Sequence, residues 1–230
     1  MAKDVAFRGL PYTAPPILFW NTAARLVTFS LVAWLITDVR LHLRREQLLA
    51  RTDTLTGLLN ARTFREALKT ELTRAGRAEY PVSLVYVDLD NFKLLNDRHG
   101  HATGDRALAI VGELFRSHLR ENDVIGRLGG DEFAVILPVT DASQAKSVMS
   151  LLQAQLNAEM ERHGWPVTLS IGAVTCRTRC DEPDALVQAA DRLMYEAKAG
   201  GKNTFLHRMW HAERSEAPRA RAPHDGSPEV

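Results

Sequence analysis

The sequence predicts an α+β fold, an α/β sandwich built on a β-α-β-β-α-β order and preceded by a long N-terminal helix. Three observations carry this. Short apolar, β-branched runs recur at residues 82–89, 124–128, 132–137 and 167–174. Between them, apolar residues return at helical rather than alternating spacing. One longer apolar stretch, residues 17–36, stands apart ahead of everything else.

That stretch follows a short segment, 1–16, and its length matches the roughly 20 residues a helix needs to cross a bilayer. Pro15 and Pro16 suit a helix start, and Trp20 and Trp34 lie near its ends, where interfacial aromatics belong. Arg40, Arg44 and Arg45 follow, so the positive-inside tendency puts the C-terminal region in the cytoplasm. Arg25 opposes insertion by about 2.5–3.5 kcal/mol at a helix centre, less if it snorkels. A soluble amphipathic helix packed on a partner is the competing reading. No small-x-small site follows the run, which argues against a cleaved signal peptide. The expectation is a single membrane span over 17–37. Residues 38–51 then read as a charged helical linker whose Leu41 and Leu48, seven apart, could pair two chains or simply lie on a solvated helix.

The remaining elements fall within 52–207. Phe64, Leu68 and Leu72 form one face of a helix starting near Ala61, with Asn60 as N-cap. Residues 82–89 read as a buried strand. Helical spacing resumes at Ala107, Val111, Leu114 and Phe115. Gly129-Gly130 between two strand-like runs signals a hairpin. Asp141 caps a helix bearing Val148, Leu152 and Leu156; a strand over 167–174, a helix over 184–199 and a short strand over 203–206 complete the set. This is the ferredoxin-like arrangement, expected as an antiparallel sheet with helices on one face and the other face or rim open to a substrate. Residues 208–230 hold Pro218, Pro223 and Pro228 and no aliphatic anchor before Val230, so a disordered tail is expected.

Composition narrows the function. The chain has 230 residues, 45% hydrophobic, enough for one ordinary core plus an appendage. With 29 basic against 28 acidic side chains, nothing points to nucleic acid as a partner. Cys176 and Cys180 form neither a disulfide framework nor a zinc pattern, which fits a reducing compartment.

The strand at 82–89 runs into two carboxylates, Asp88 and Asp90, and the hairpin turn is followed at once by Asp131 and Glu132. A lone Asp at a strand end is usually a turn cap. If the two strands are neighbours, however, Asp88 meets the Asp131/Glu132 pair. Clustered carboxylates repel unless a cation joins them, and oxygen ligands of this kind suit Mg²⁺ or Mn²⁺. Two such ions assist in-line phosphoryl displacement. Nucleotidyl transfer is the chemistry this pattern suggests.

Arg127-Leu128-Gly129-Gly130-Asp131-Glu132-Phe133 resembles the signature of the GGDEF family, the diguanylate cyclases. Three further blocks resemble family motifs in the same order. They are the opening Asp53-Thr54-Leu55-Thr56-Gly57-Leu58-Leu59-Asn60; the nucleotide block from Asp88 to Lys93, with Asn96-Asp97 and Gly100 to Asp105; and the closing Asp191 to Lys198 with Gly201-Lys202-Asn203. The resemblance implies a palm of the nucleotidyl cyclase type that condenses two GTP into cyclic di-GMP and two pyrophosphates, as a homodimer of facing subunits. It implies two Mg²⁺ or Mn²⁺ per site, held by Asp88, the Leu89 carbonyl, Asp131 and Glu132. Asp131, with Glu132 beside it, is implied as the catalytic acidic pair acting on the ribose 3′-hydroxyl. Asn96 and Asp105 would read guanine, and Lys198 and Lys202 would neutralise phosphates. Phe92, Lys93, His101, Gly129 and Gly130 complete the implied substrate site. Arg120 and Asp123 lie where the family keeps its product-inhibition site, although a second arginine for it is not evident between Pro138 and Met160.

Two departures stand out. Lys202 occupies a position that is more often Arg, keeping charge but not the fork, and Ala61 replaces a frequent Arg. The competing functions are a catalytically silent receptor for cyclic di-GMP and a related palm-type cyclase or polymerase using ATP or another nucleotide. The intact acidic signature weighs against the first, and Asn96 with Asp105 against the second.

Overall fold

The structure, a computed structural model, describes residues 15–177, 180 and 182–210, with side chains described for all of these except 15–19 and 41–49. The first segment, 1–14, and the tail from 211 onward lie outside the described residues. The chain divides into two units, Met1–Ala50 and Arg51–Val230. In the first, one helix, α1 (Pro15–Leu49), runs without a break through residues 17–37 and through the expected linker as far as Leu49, two residues short of its expected end at 51. Within it Trp20–Arg40 is long and apolar enough to cross a membrane. Trp20, Phe29 and Trp34 are all exposed.

The second unit runs β1 (Leu59–Asn60), α2 (Ala61–Ala78), β2 (Val82–Asp90), α3 (Phe92–His99), α4 (His101–His118), β3 (Val124–Gly129), β4 (Glu132–Pro138), α5 (Ala142–Arg162), β5 (Thr168–Cys176), α6 (Pro183–Ala199) and β6 (Phe205–Met209). The sheet order is β1-β3-β4-β2-β5-β6. Its inner four strands, β3-β4-β2-β5, are the antiparallel ferredoxin-like core. β1 and β6 are added parallel at the two edges.

Local chemistry explains the elements. Asn60 caps α2, its side chain accepting from Thr63 N at 2.9 Å. Asp141 forms a capping box with Gln144 at the start of α5. Every residue of β2 is buried, because the sheet is covered on both faces. Val85, Val87 and Leu89 pack with Val111 and Phe115 of α4 and Met149 and Leu156 of α5. Leu84 and Tyr86 pack on the opposite face with Phe64 and Leu68 of α2 and Leu193 of α6. This corrects the expectation of helices on one face only: α2 and α6 close the second face, and the rim is what remains for a ligand.

Three other boundaries differ from the sequence reading. α3 was not expected, because its polar eight residues bury only Leu95 and so show no periodicity. β1 is too short to carry a pattern. The last strand begins at Phe205 rather than at 203, because Lys202 and Asn203 have φ of +64° and +46° and cannot be extended. It also continues to Met209, past the expected strand end at 206 and into the start of the segment 208–230 expected to be disordered.

Candidate active site at the rim of the sheet

The C-terminal end of β2 and the N-terminal end of β4 share one rim of the sheet. Asp88 is paired in register with Glu132, so both side chains leave the same face. Leu89 N donates to Asp131 O at 3.2 Å, drawing the hairpin tip onto β2. The convergence expected from sequence is present.

Asp88 is buried, and its Oδ1 accepts no well-aligned hydrogen bond; the nearest counter-charge is Lys198 Nζ of α6 at 2.6 Å. Burial pushes the Asp88 carboxyl up to about 6, with Asp131 and Glu132 adding to the rise and Lys198 opposing it. Burial works against charge on Lys198, but Asp88 outweighs it and the ammonium is held above its ordinary value. At neutral pH both groups are ionised. Glu132 Oε2 accepts from the Tyr86 hydroxyl at 3.1 Å, which orients that carboxylate. Burial first, then Glu132, push the Tyr86 phenol well up, so it stays a donor.

Among the described residues no three His, Cys, Asp or Glu side chains are gathered as a ready-made metal cage. The donors nevertheless fit a hard divalent ion. They are all oxygen, and among the described residues the buried Asp88 Oδ1 is met only by the Lys198 ammonium.

The glycine turn is anchored from behind. Gly130 has φ +48°, a conformation side chains resist. Arg127 donates to Gly130 O from Nη2 at 2.7 Å and from Nε at 3.0 Å. Its Nη1 reaches Asp53 Oδ1 and Oδ2 at 3.1 and 3.2 Å. Burial raises the Asp53 carboxyl, but hydrogen bonds from Thr56 and the Arg127 guanidinium outweigh it and leave it below the usual range. Arg127 and Asp53 stood in two quoted motifs without a role; their pairing across 74 positions is invisible to spacing.

The nucleotide block forms an elbow at Gly100 (φ +80°) between α3 and α4. Asn96 and Phe92 both lie against Gly104: a Cβ there would fall 1.9 Å from Asn96 Oδ1 and 3.1 Å from Phe92 Cζ. Asn96 Oδ1 is buried without a hydrogen-bond partner, and Asp105, next to Gly104, is exposed. Asn96 thus lies against the residue that precedes Asp105 in the chain. His101 is exposed at the first position of α4, and Lys93 is exposed in the first turn of α3.

Lys202 Nζ donates to Asn91 Oδ1 at 2.8 Å, so Lys198 meets the end of β2 and Lys202 the β2–α3 turn that follows it. Arg120 and Asp123 lie elsewhere, at the opposite end of β3 from the glycine turn. There Arg120 N donates to Asp123 Oδ2 at 2.8 Å in a tight turn, while burial holds the Asp123 carboxyl up.

Comparison with known proteins agrees with this geometry. The family model described as "Diguanylate cyclase, GGDEF domain" matches residues 50–204. The diguanylate cyclase DgcS of Shewanella oneidensis is 38% identical over 156 residues, covering 68% of this chain and 52% of that one. The probable diguanylate cyclase DgcC of Escherichia coli is 32% identical over 199 residues, covering 84% and 54%. The chain thus spans about half the length of these curated relatives. Among solved structures, the GGDEF domain of DgcB from Caulobacter crescentus in complex with c-di-GMP superposes with a TM-score of 0.62 at 28% identity, covering 69% of this chain and 95% of that one. The GGDEF domain of YfiN from Pseudomonas aeruginosa gives 0.61 at 32% identity, covering 68% and 99%. The fold, the acidic rim and these matches together place the chain in the GGDEF diguanylate cyclase family.

Proposed function

We propose that the protein condenses two GTP molecules into cyclic di-GMP with release of two pyrophosphates. The observation that carries this reading is the meeting of Asp88, the Asp131/Glu132 tip and two lysines at one rim, with the Asn96–Gly104–Asp105 elbow beside it. Asp88, the Leu89 carbonyl, Asp131 and Glu132 would hold two Mg²⁺ or Mn²⁺ ions. When bound, such ions neutralise the triphosphate and make the 3′-hydroxyl more acidic. Asp131 receives the hydroxyl proton as the 3′-oxygen attacks the α-phosphate. Lys198 and Lys202 carry the charge that builds on the departing pyrophosphate, helped by the backbone at Phe92 and Lys93. The small Gly129-Gly130 turn lets backbone approach the nucleotide, Asn96 and Asp105 match the guanine edge, and His101 lies at the start of the same helix.

Each subunit has one rim and the product is two-fold symmetric, so the active unit is a homodimer with two rims facing. The Trp20–Arg40 helix anchors it in the cytoplasmic membrane, as a single pass with residues 52–207 on the cytoplasmic side. Arg120 and Asp123, remote from the rim, form the product-inhibition site.

The test is conversion of GTP by the full chain with Mg²⁺, against Asp131→Ala and Asp88→Ala. The expected result is cyclic di-GMP from the parent chain and none from either folded variant. A dimeric parent that binds cyclic di-GMP yet makes none would assign the protein to a receptor role instead.

A further inference from the structure

We propose that Asp90 is a positioning residue: it clamps the left-handed Lys202–Asn203 turn, and so presents Lys202 to phosphates at the β2–α3 turn. The inference rests on the phosphate role given to Lys202 above.

The pleat of β2 sends Asp88 and Asp90 to the same face of the sheet, and by sequence both qualify as metal ligands. Their surroundings separate them. Asp88 Oδ1 is without an aligned hydrogen bond beside Lys198, whereas Asp90 is fully buried and well satisfied. Its Oδ1 accepts from Ser170 Oγ at 2.7 Å; its Oδ2 accepts from Thr168 Oγ1 at 2.7 Å and from Asn203 N at 3.0 Å. Two of these donors belong to β5, the strand paired with β2. The third is backbone 113 positions away, in the turn between α6 and β6.

That turn holds two consecutive non-glycine residues, Lys202 and Asn203, at positive φ. Side chains disfavour this region, and such strain persists only where the surroundings over-determine it. Here they do. Asn203 N is held by Asp90, and Asn203 Oδ1 accepts from Gln153 Nε2 and Asn157 Nδ2, each at 3.1 Å. Lys202 N donates to Ala197 O at 3.2 Å, closing the turn onto α6. The Lys202 side chain, so aimed, reaches Asn91, the residue next to Asp90. One buried carboxylate thus fixes the backbone from which the ammonium departs.

The experiment compares binding of 3′-deoxy-GTP, which lacks the attacking hydroxyl, with binding of GMP. It uses the full chain and the variants Asp90→Asn, Asp90→Ala, Lys202→Ala and Asp90→Ala/Lys202→Ala, with melting temperature recorded for each. The expected result is that Asp90→Ala weakens 3′-deoxy-GTP about tenfold and leaves GMP within about twofold, because Lys202 meets only the outer phosphates. Asp90→Asn, which keeps an acceptor for Asn203 N, recovers most of the loss. In the Lys202→Ala background, removing Asp90 should change the triphosphate-to-monophosphate ratio no further. Equal weakening of both nucleotides, or losses that multiply in the double variant, would overturn the proposal. If the Asp90 variants do not fold, Thr168→Val/Ser170→Ala decides, because it unfastens the Asp90 carboxylate from β5: a selective loss for 3′-deoxy-GTP supports the clamp, and an unchanged ratio refutes it. A parent chain that does not prefer the triphosphate would instead count against the proposed function itself.

Discussion

Replacing Gly104 by alanine should uncouple base recognition from stability. The added Cβ would lie 1.9 Å from Asn96 Oδ1, where ordinary contact begins near 3.4 Å, so the amide must retreat by about 1.5 Å. Oδ1 is the free end of a short side chain, and rotation rather than backbone movement accommodates it. Phe92 Cζ, at 3.1 Å, has only a few tenths of an ångström to give. Alanine gains about 1 kcal/mol over glycine within a helix, while overpacking costs about 1–3 kcal/mol. Net destabilisation should stay below about 2 kcal/mol, a shift of a few degrees in melting temperature. Recognition suffers more. Asn96 leaves its position, and the guanine group it is proposed to read loses a partner, at about 1–3 kcal/mol. The preference for 3′-deoxy-GTP over 3′-deoxy-ATP should therefore fall about tenfold or more. Competitive displacement of a fluorescent guanine nucleotide measures it, and Asn96→Ala should reproduce the loss without the steric conflict. A folded Gly104→Ala protein that keeps its full preference would show that Asn96 does not read the base.

Arg127→Met removes bonds to Gly130 O and the Asp53 carboxylate, and should cost about 2–3 kcal/mol of unfolding free energy in urea; a loss under about 0.5 kcal/mol would mean the hairpin tip holds itself. The Asp88 carboxyl, raised to about 6, favours the protonated folded state. Stability from it in the metal-free protein is present below the ordinary value of 3.8 and is lost as pH rises through about 6. Mn²⁺ affinity runs the opposite way, falling about tenfold per pH unit below 6 as the proton competes. Asp88→Asn should flatten the Asp88 contribution to both profiles, and persistence of the wild-type step in that variant would assign it to another group. Tyr86→Phe deletes only the hydroxyl on Glu132 and should weaken Mn²⁺ about two- to tenfold at unchanged melting temperature, read by the paramagnetic signal of free ion. Arg120→Ala should relieve inhibition by cyclic di-GMP without changing the initial rate; inhibition that survives would locate product binding elsewhere.

Most of the fold was legible because its determinants are local. The buried strands, the Gly129-Gly130 hairpin and the caps at Asn60 and Asp141 each announce themselves within a few residues. What escaped was either too short or set from a distance. α3 buries a single leucine, and β1 is two residues whose backbone meets β3 and the segment at Thr52. Coverage of the second face could not be inferred from element order, since the side on which α2 and α6 pack is decided by the connections between strands. β6 starts late for a reason written in backbone angles rather than residue types.

The site divides in the same way. Residues proposed to touch the nucleotide or its ions stand at strand ends, turns and helix starts, and their chemistry is visible one at a time. Those that hold them in place act in pairs separated by 46 positions for Tyr86 and Glu132, 74 for Asp53 and Arg127, and 113 for Asp90 and Asn203. Asp90 makes the point most sharply. It shares a strand, a face and a side-chain type with Asp88, so no property of the residue itself separates the proposed ligand from the proposed clamp. The difference lies in what β5 and the α6–β6 turn bring. Two hydroxyls and an amide satisfy one carboxylate, whereas the other faces an ammonium and two more acids. A carboxylate supplied with neutral donors gains little from recruiting a cation, while one set beside two more acids is stabilised by each cation it recruits.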